Sequence, residues 1–134
     1  MIHCIIGLCF FVQTTPLALT NAYAEVATTS VELNSTTTIA KYISQEAEKK
    51  GVSVKLALSI AECESSFIPQ QSKFTRPDGT REKSFGVWQI YLPGKDITED
   101  QAMDIKWSTE WSLEQIKQGN AKIWSCYSYQ QLDD

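Results

Sequence analysis

The sequence predicts a mainly helical (α+β) domain with a small hairpin lobe, and two observations carry this prediction. Apolar residues recur at helical spacing in residues 36–50 and 54–65, and each stretch follows a serine and precedes a Gly or Pro. Residues 70–91 instead contain short polar and aromatic segments around a Pro-Asp-Gly turn. At 134 residues, the chain has room for one domain.

The N-terminal segment predicts a secretory signal peptide over residues 1–24. Residues 4–12 are apolar, and Ala22 and Ala24 form a small-residue cleavage pattern. The apolar run is far below the roughly 20 residues of a spanning helix, so we expect no stable membrane span. A buried apolar helix is the alternative. Residues 25–35 are rich in Thr and Ser and predict a flexible leader, which leaves residues 36–134 for the domain. The expected location is periplasmic or extracellular.

The charge and the cysteine and histidine content indicate which partners, disulfides and cofactors to expect. The formal net charge is −4 and no basic stripe is visible, so we expect no nucleic-acid partner. Outside the signal, Cys63 and Cys126 remain, and an exported domain with two cysteines favours one disulfide over two separate buried thiols. The single histidine, His3, lies in the signal. We therefore expect no metal site and no cofactor.

The helix boundaries follow from local signals. Ser35 or a following Thr caps the first helix, and Gly51 ends it after Lys50. Ser53 caps the second helix, which runs to about Ser65. Farther along the chain, residues 98–101 form a capping-box pattern, a break is expected near residues 106–108, and a last helix spans residues 108–118. Residues 123–129 are aromatic enough that we expect them to pack on the core.

The lobe is predicted between the second and third helices. In Arg76–Gly79, Pro at the second position and Gly at the fourth fit a type I turn. The flanking residues 73–75 and 80–82 predict a short hairpin over a cleft. Residues 84–90 follow as a compact segment that could form the opposite wall.

Glu64 is the strongest catalytic candidate. Leu56, Ile60 and Glu64 are four residues apart, so an apolar stripe of one helix face runs into a carboxylate in the last turn. A carboxyl at the edge of a core is partly desolvated, which raises its pKa and suits a general acid.

The order of these segments resembles a known family. Glu64-Ser65 after an Ala-Leu-Ser-Ile-Ala helix, followed by Ser84, Gly86 and Gln89-Ile90, is similar to the lysozyme-like lytic transglycosylase (SLT) domain over about residues 39–116. The resemblance implies a lysozyme-like helical fold with a glycan-binding groove. It also implies that Glu64 is the catalytic acid/base and that Gln89 lines the groove.

Further substrate-binding candidates come from the same two segments. Trp88 could stack on a sugar face, and Gly86 belongs to the shared motif. Ser65 and Ser84 could instead only hold backbone groups. These residues, with Gln89, complete the expected binding set for a peptidoglycan glycan strand.

The mechanism expected from the residues uses one acid. Glu62, Asp78 and Glu82 are possible second carboxylates, but Glu62 points about 200° away from Glu64 and the other two fit a solvated turn. The resemblance implies that Glu64 protonates the glycosidic oxygen of the MurNAc–GlcNAc β-1,4 bond and then takes a proton from the muramic acid 6-hydroxyl, giving a 1,6-anhydro product. The alternatives are a hydrolytic muramidase, in which water attacks, and a non-catalytic glycan-binding or structural protein on the same scaffold.

Overall fold

The first helix begins and ends where local chemistry predicts. The computed structural model describes residues 32–130. Helix α1 spans Thr36–Lys50, and the Ser35 hydroxyl accepts a hydrogen bond from the N–H of Thr38. Gly51 ends the helix with a left-handed φ of 68°, and its N–H is directed back to carbonyls of the last turn. The predicted cap and stop are both confirmed.

Helix α2 carries the candidate acid. It spans Val54–Ser65, and the Ser53 hydroxyl accepts a hydrogen bond from the N–H of Leu56. Two successive residues beyond its end, Ser66 and Phe67, have positive φ angles of 54° and 61°. Since side-chain-bearing residues rarely adopt this conformation, the end of α2 stores backbone strain beside Glu64.

Two hairpins follow α2. Strands β1 (Ser84–Phe85) and β2 (Ile90–Tyr91) pair antiparallel, with Ser84 opposite Tyr91. Before them, Thr75 pairs with Arg81 in an isolated bridge. The N–H of Gly79 donates to the carbonyl of Arg76 across the turn, at 2.9 Å. The lobe therefore lies on the predicted residues, with the predicted turn.

The break between the last two predicted helices lies earlier than expected. Helix α3 spans Glu99–Met103 behind the predicted capping box, in which Thr98 and Gln101 satisfy each other's backbone N–H groups. Helix α4 spans Ile105–Lys117, and Asp104 caps it by accepting from the N–H of Trp107 at 2.6 Å. The predicted start at residue 108 was wrong because the cap is this aspartate.

The C-terminal part packs back on the domain, as its aromatic residues predict. A 3₁₀ turn at Ala121–Ile123 precedes helix α5, Ser125–Gln130. The side chain of Trp124 between them is only 3% exposed. Cys126 forms a disulfide with Cys63, so the alternative of two separate thiols is excluded.

Helices α1, α2 and α4 enclose the core, and α1 packs on both of the others. The fully buried side chains of the core include Ile43 of α1, Ile60 of α2, Leu113 of α4 and Trp88 of the hairpin. The described chain is therefore mainly helical with a small sheet, as predicted.

The expectations for residues 1–24 and for most of the leader lie outside the described residues. Within residues 32–130, every helix is too short or too polar to cross a lipid bilayer.

Candidate functional site

A cleft of about 420 Å³ opens between the end of α2, the two hairpins and the C-terminal segment. This volume falls in the range of about 300–1,000 Å³ that is typical of ligand sites. Four parts of the chain line it. The lining residues are Glu64 of α2; Ser72, Arg76 and Glu82 of the lobe; Ser84, Gln89 and Tyr91 of the β1–β2 hairpin; and Ile123, Trp124 and Ser125.

Glu64 is half-buried in this cleft, and burial is the main cause of its raised pKa. Two donors oppose the shift: Glu64 Oε1 accepts from the N–H of Cys126 at 3.2 Å and from the Ser125 hydroxyl at 3.4 Å. The negative charge of Glu82 adds to the upward shift. Since the pKa stays raised despite two hydrogen bonds, desolvation outweighs them, and the carboxyl is suited to donate a proton.

Ser65 lies beside Glu64 but outside the cleft lining. It is buried, with 7% exposed, and its hydroxyl lies 2.7 Å from the carbonyl of Val87, to which it donates. The carbonyl of Ala61, one turn earlier, is a second acceptor at 3.2 Å. Ser65 therefore joins the end of α2 to the β1–β2 hairpin. Of its two expected roles, the structure supports hydrogen bonding to the backbone and not substrate contact.

Gln89 reaches the cleft from the loop between β1 and β2. Its amide nitrogen donates to the carbonyls of Gly86 at 2.8 Å and Gln70 at 2.9 Å. Its backbone has a positive φ of 46°, which side-chain-bearing residues rarely adopt, and the two hydrogen bonds fix the side chain. Within the described residues the amide oxygen has no hydrogen-bond partner, and it is therefore an acceptor available to a ligand hydroxyl.

Gly86 has a structural reason to be glycine. A Cβ built on it would lie 1.8 Å from the carbonyl oxygen of Ala102 in α3, and its φ is 79°. The hairpin backbone therefore touches the backbone of α3, and Gly86 does not line the cleft. Ser84 does line it, from β1.

Trp88 lies in the core and not in the groove. Its side chain is 0% exposed, and its indole N–H donates to the hydroxyl of Thr109 in α4 at 3.1 Å. The expected sugar stacking is therefore corrected: the indole has no face open to a ligand. Trp88 instead supports the cleft through Trp124, whose indole N–H donates to the Trp88 carbonyl at 2.8 Å and whose ring centroid lies 5.8 Å away.

The sequence analysis predicted the lobe and the packed C-terminal segment, but it assigned no cleft-lining role to Arg76, Glu82 or the C-terminal wall. Glu82 and Arg76 occur among other charged or turn residues, which is the pattern of a solvated lobe. Ser125 and Trp124 lie far along the chain from Glu64. The one signal in the sequence for Trp124 and Ser125 was Cys126, because a bridge from Cys63 to Cys126 places the residues next to Cys126 beside Glu64.

The cleft offers acid chemistry and no evident metal site. Among residues 32–130, no group of three or more His, Cys, Asp or Glu side chains could hold a metal ion. Two carboxylates, Glu64 and Glu82, share the cleft. Such an arrangement can protonate a leaving oxygen and stabilise positive charge on a sugar ring.

Comparison with known proteins adds no family to this description. No protein-family model matches the chain, and searches of curated proteins and of solved structures found no significant match.

Proposed function

We propose that this protein is an exported lytic transglycosylase that cleaves the MurNAc–GlcNAc β-1,4 bond of peptidoglycan. Glu64 is its acid and base, and the protein acts in the periplasm or outside the cell. The proposal includes a lysozyme-like scaffold, in which the mainly helical domain and its hairpin lobe frame the glycan groove.

The observation that carries the proposal is the placement of Glu64. Its carboxyl is half-buried in a cleft, its pKa is raised by burial, and two donors from the opposite wall fix its orientation. A glycosidase acid needs each of these properties: it must be protonated, oriented and able to reach the leaving oxygen.

The reaction divides into two proton transfers. Glu64 first protonates the glycosidic oxygen, so that the C1–O bond of the muramic residue breaks and positive charge develops on the ring. The carboxylate of Glu64 then takes the proton of the muramic 6-hydroxyl, and that oxygen bonds to C1. The acid is regenerated, and the product carries a 1,6-anhydro ring without consuming water.

Glu82 favours a second candidate, a hydrolytic muramidase. Its carboxylate lines the same cleft, and its Oε2 accepts from the hydroxyl of Ser72 at 3.0 Å. A second carboxylate could direct a water to C1 or stabilise the charged ring. The two candidates share Glu64 and differ in whether Glu82 is essential.

Digestion of purified peptidoglycan separates the candidates. We expect soluble muropeptides with 1,6-anhydro ends, lighter by one water than hydrolysis products. Glu64→Gln should reduce release by about 10²- to 10⁴-fold, the contribution of a general acid. Glu62→Gln is the matched control, because Glu62 is exposed on the same helix and does not line the cleft.

Other outcomes would reassign the protein. Hydrated ends, together with a large loss in Glu82→Gln, would identify a muramidase. Binding without cleavage would indicate a non-catalytic glycan-binding protein. Full activity of Glu64→Gln would exclude Glu64 as the acid.

A further inference from the structure

Two cations contact the ring of Tyr91: Arg76, which lines the cleft with Tyr91, and Lys95, which lies outside the cleft lining. The guanidinium carbon of Arg76 and the Nζ of Lys95 each lie 5.5 Å from the ring centroid. Arg76 Nη2 also donates to the Tyr91 hydroxyl at 2.8 Å, and Lys95 Nζ donates to the Tyr91 carbonyl at 2.6 Å. We name Arg76, Tyr91 and Lys95 the cationic rim.

Neither cation forms an ion pair with a carboxylate of the described residues. Within residues 32–130, no Asp or Glu oxygen lies within the 4.0 Å of an ion pair with Arg76 or Lys95. The acidic residues near Arg76 have other partners: Asp78 accepts from Thr80, and Glu82 accepts from Ser72. The Tyr91 hydroxyl occupies one of the five N–H groups of the guanidinium, so Arg76 keeps donors for a ligand.

The positive charge of the rim contrasts with the negative net charge of the protein. The chain has a formal net charge of −4, and the cleft beside the rim contains the carboxyls of Glu64 and Glu82. A neutral sugar gains little from two unpaired cations. A ligand carboxylate gains charge-assisted hydrogen bonds from a guanidinium, whose fork matches its two oxygens.

We propose that the cationic rim is a subsite for a carboxylate carried by the muramic residues of the glycan, so that the cleft prefers peptidoglycan to neutral chitin. This inference rests on the proposed function and names the feature of the strand that the cleft recognises. The carboxylate has two sources: the lactyl group of a peptide-free muramic residue, or the peptide attached to that group.

Binding measurements on the Glu64→Gln protein test the subsite without cleavage. Titration calorimetry would compare three soluble glycans of equal length: peptide-bearing strands, peptide-free strands with free lactyl groups, and chitin oligomers. Arg76→Gln should weaken binding of a carboxylate-bearing strand by roughly 3- to 10-fold and leave chitin binding unchanged. Arg76→Lys, which keeps the charge but not the fork, should lose less.

Lys73→Gln is the control, because it removes the same charge from an exposed position on the same lobe and does not line the cleft. We expect it to change binding little. A second measurement needs no variant at the rim. Added salt should reduce the preference of the Glu64→Gln protein for carboxylate-bearing strands over chitin, because ionic screening weakens an exposed charge contact.

Each outcome decides the proposal. A loss confined to lactyl-bearing strands, or to peptide-bearing strands, supports the subsite and identifies the source of the carboxylate. An equal loss on chitin, or no loss on any glycan, overturns the subsite and leaves the proposed function intact. If the protein binds none of the three glycans, the proposed function fails and the subsite fails with it.

Discussion

Glu64 accepts a hydrogen bond from the backbone N–H of Cys126 at 3.2 Å, although 62 positions separate the two residues in the chain. The disulfide explains this contact, because Cys126 is bonded to Cys63, the residue before Glu64. A covalent bond thus fixes the donor beside the acceptor. It also holds Trp124 and Ser125 in the wall of the cleft.

Breaking the disulfide should therefore reduce both stability and activity. The bridge joins residues 63 positions apart, for which the loop-entropy argument gives a stabilisation of about 4 kcal/mol. We expect a clear fall in Tm on reduction and in Cys126→Ser, measured by thermal unfolding. Muropeptide release should fall even below the new Tm, since Glu64 loses its fixed partners. Two free thiols in the intact mass of alkylated, non-reduced protein would contradict this account.

The raised pKa of Glu64 predicts how stability depends on pH. Because burial raises the folded-state pKa above the ordinary value of a glutamate, the native protein binds this proton more tightly than the unfolded chain does. Stability is therefore lost as the pH rises through the folded pKa, and Glu64→Gln removes that loss. The variant should have a higher Tm than the wild type at about pH 7, and the difference should shrink towards about pH 4.

Thermal unfolding of both proteins across this pH range measures the effect. Glu62→Gln is again the control, because Glu62 is exposed on the same helix. A difference that grows as the pH falls would mean that the pKa of Glu64 is lowered rather than raised. We expect the activity to fall with rising pH as well. A reaction that begins with protonated Glu64 becomes slower as the pH rises above the pKa of Glu64.

Local signals predicted the helices well, since a cap or stop involves residues only a few positions apart. Ser35, Gly51 and Ser53 lie where the sequence places them, and so does the capping box at Thr98. Asp104 is a local signal too, but the prediction passed over it in favour of a later start for α4.

The site was harder to predict because its geometry depends on distant contacts. The Trp88 side chain of the β1–β2 hairpin is buried, where its indole donates to Thr109 of α4, and no local pattern records that pairing. Glu82 looks solvated in the sequence because charged residues flank it. The folding of the lobe, and not its composition, places Glu82 in the cleft. Glu64 was the exception, since the apolar stripe of its own helix already predicts a partly buried carboxyl.

Gly86→Ala should be among the most damaging small substitutions in the domain. The new Cβ would lie 1.8 Å from the Ala102 carbonyl oxygen, and backbone on both sides leaves no flexible side chain to move away. The position also has a φ of 79°, which alone disfavours alanine by about 1 kcal/mol. With the steric overlap added, we expect a loss of at least about 2 kcal/mol in the free energy of unfolding.

Gly94→Ala separates the two contributions. Gly94 has nearly the same φ, 78°, but a Cβ there would meet nothing within 4 Å. It should therefore show only the conformational cost of about 1 kcal/mol. Urea unfolding of both variants gives the comparison, and the excess loss in Gly86→Ala measures the contact between the hairpin and α3. Equal losses would mean that α3 moves away at little cost. The loop that carries Gln89 into the cleft would then depend on its hydrogen bonds to Gly86 and Gln70 rather than on this close packing.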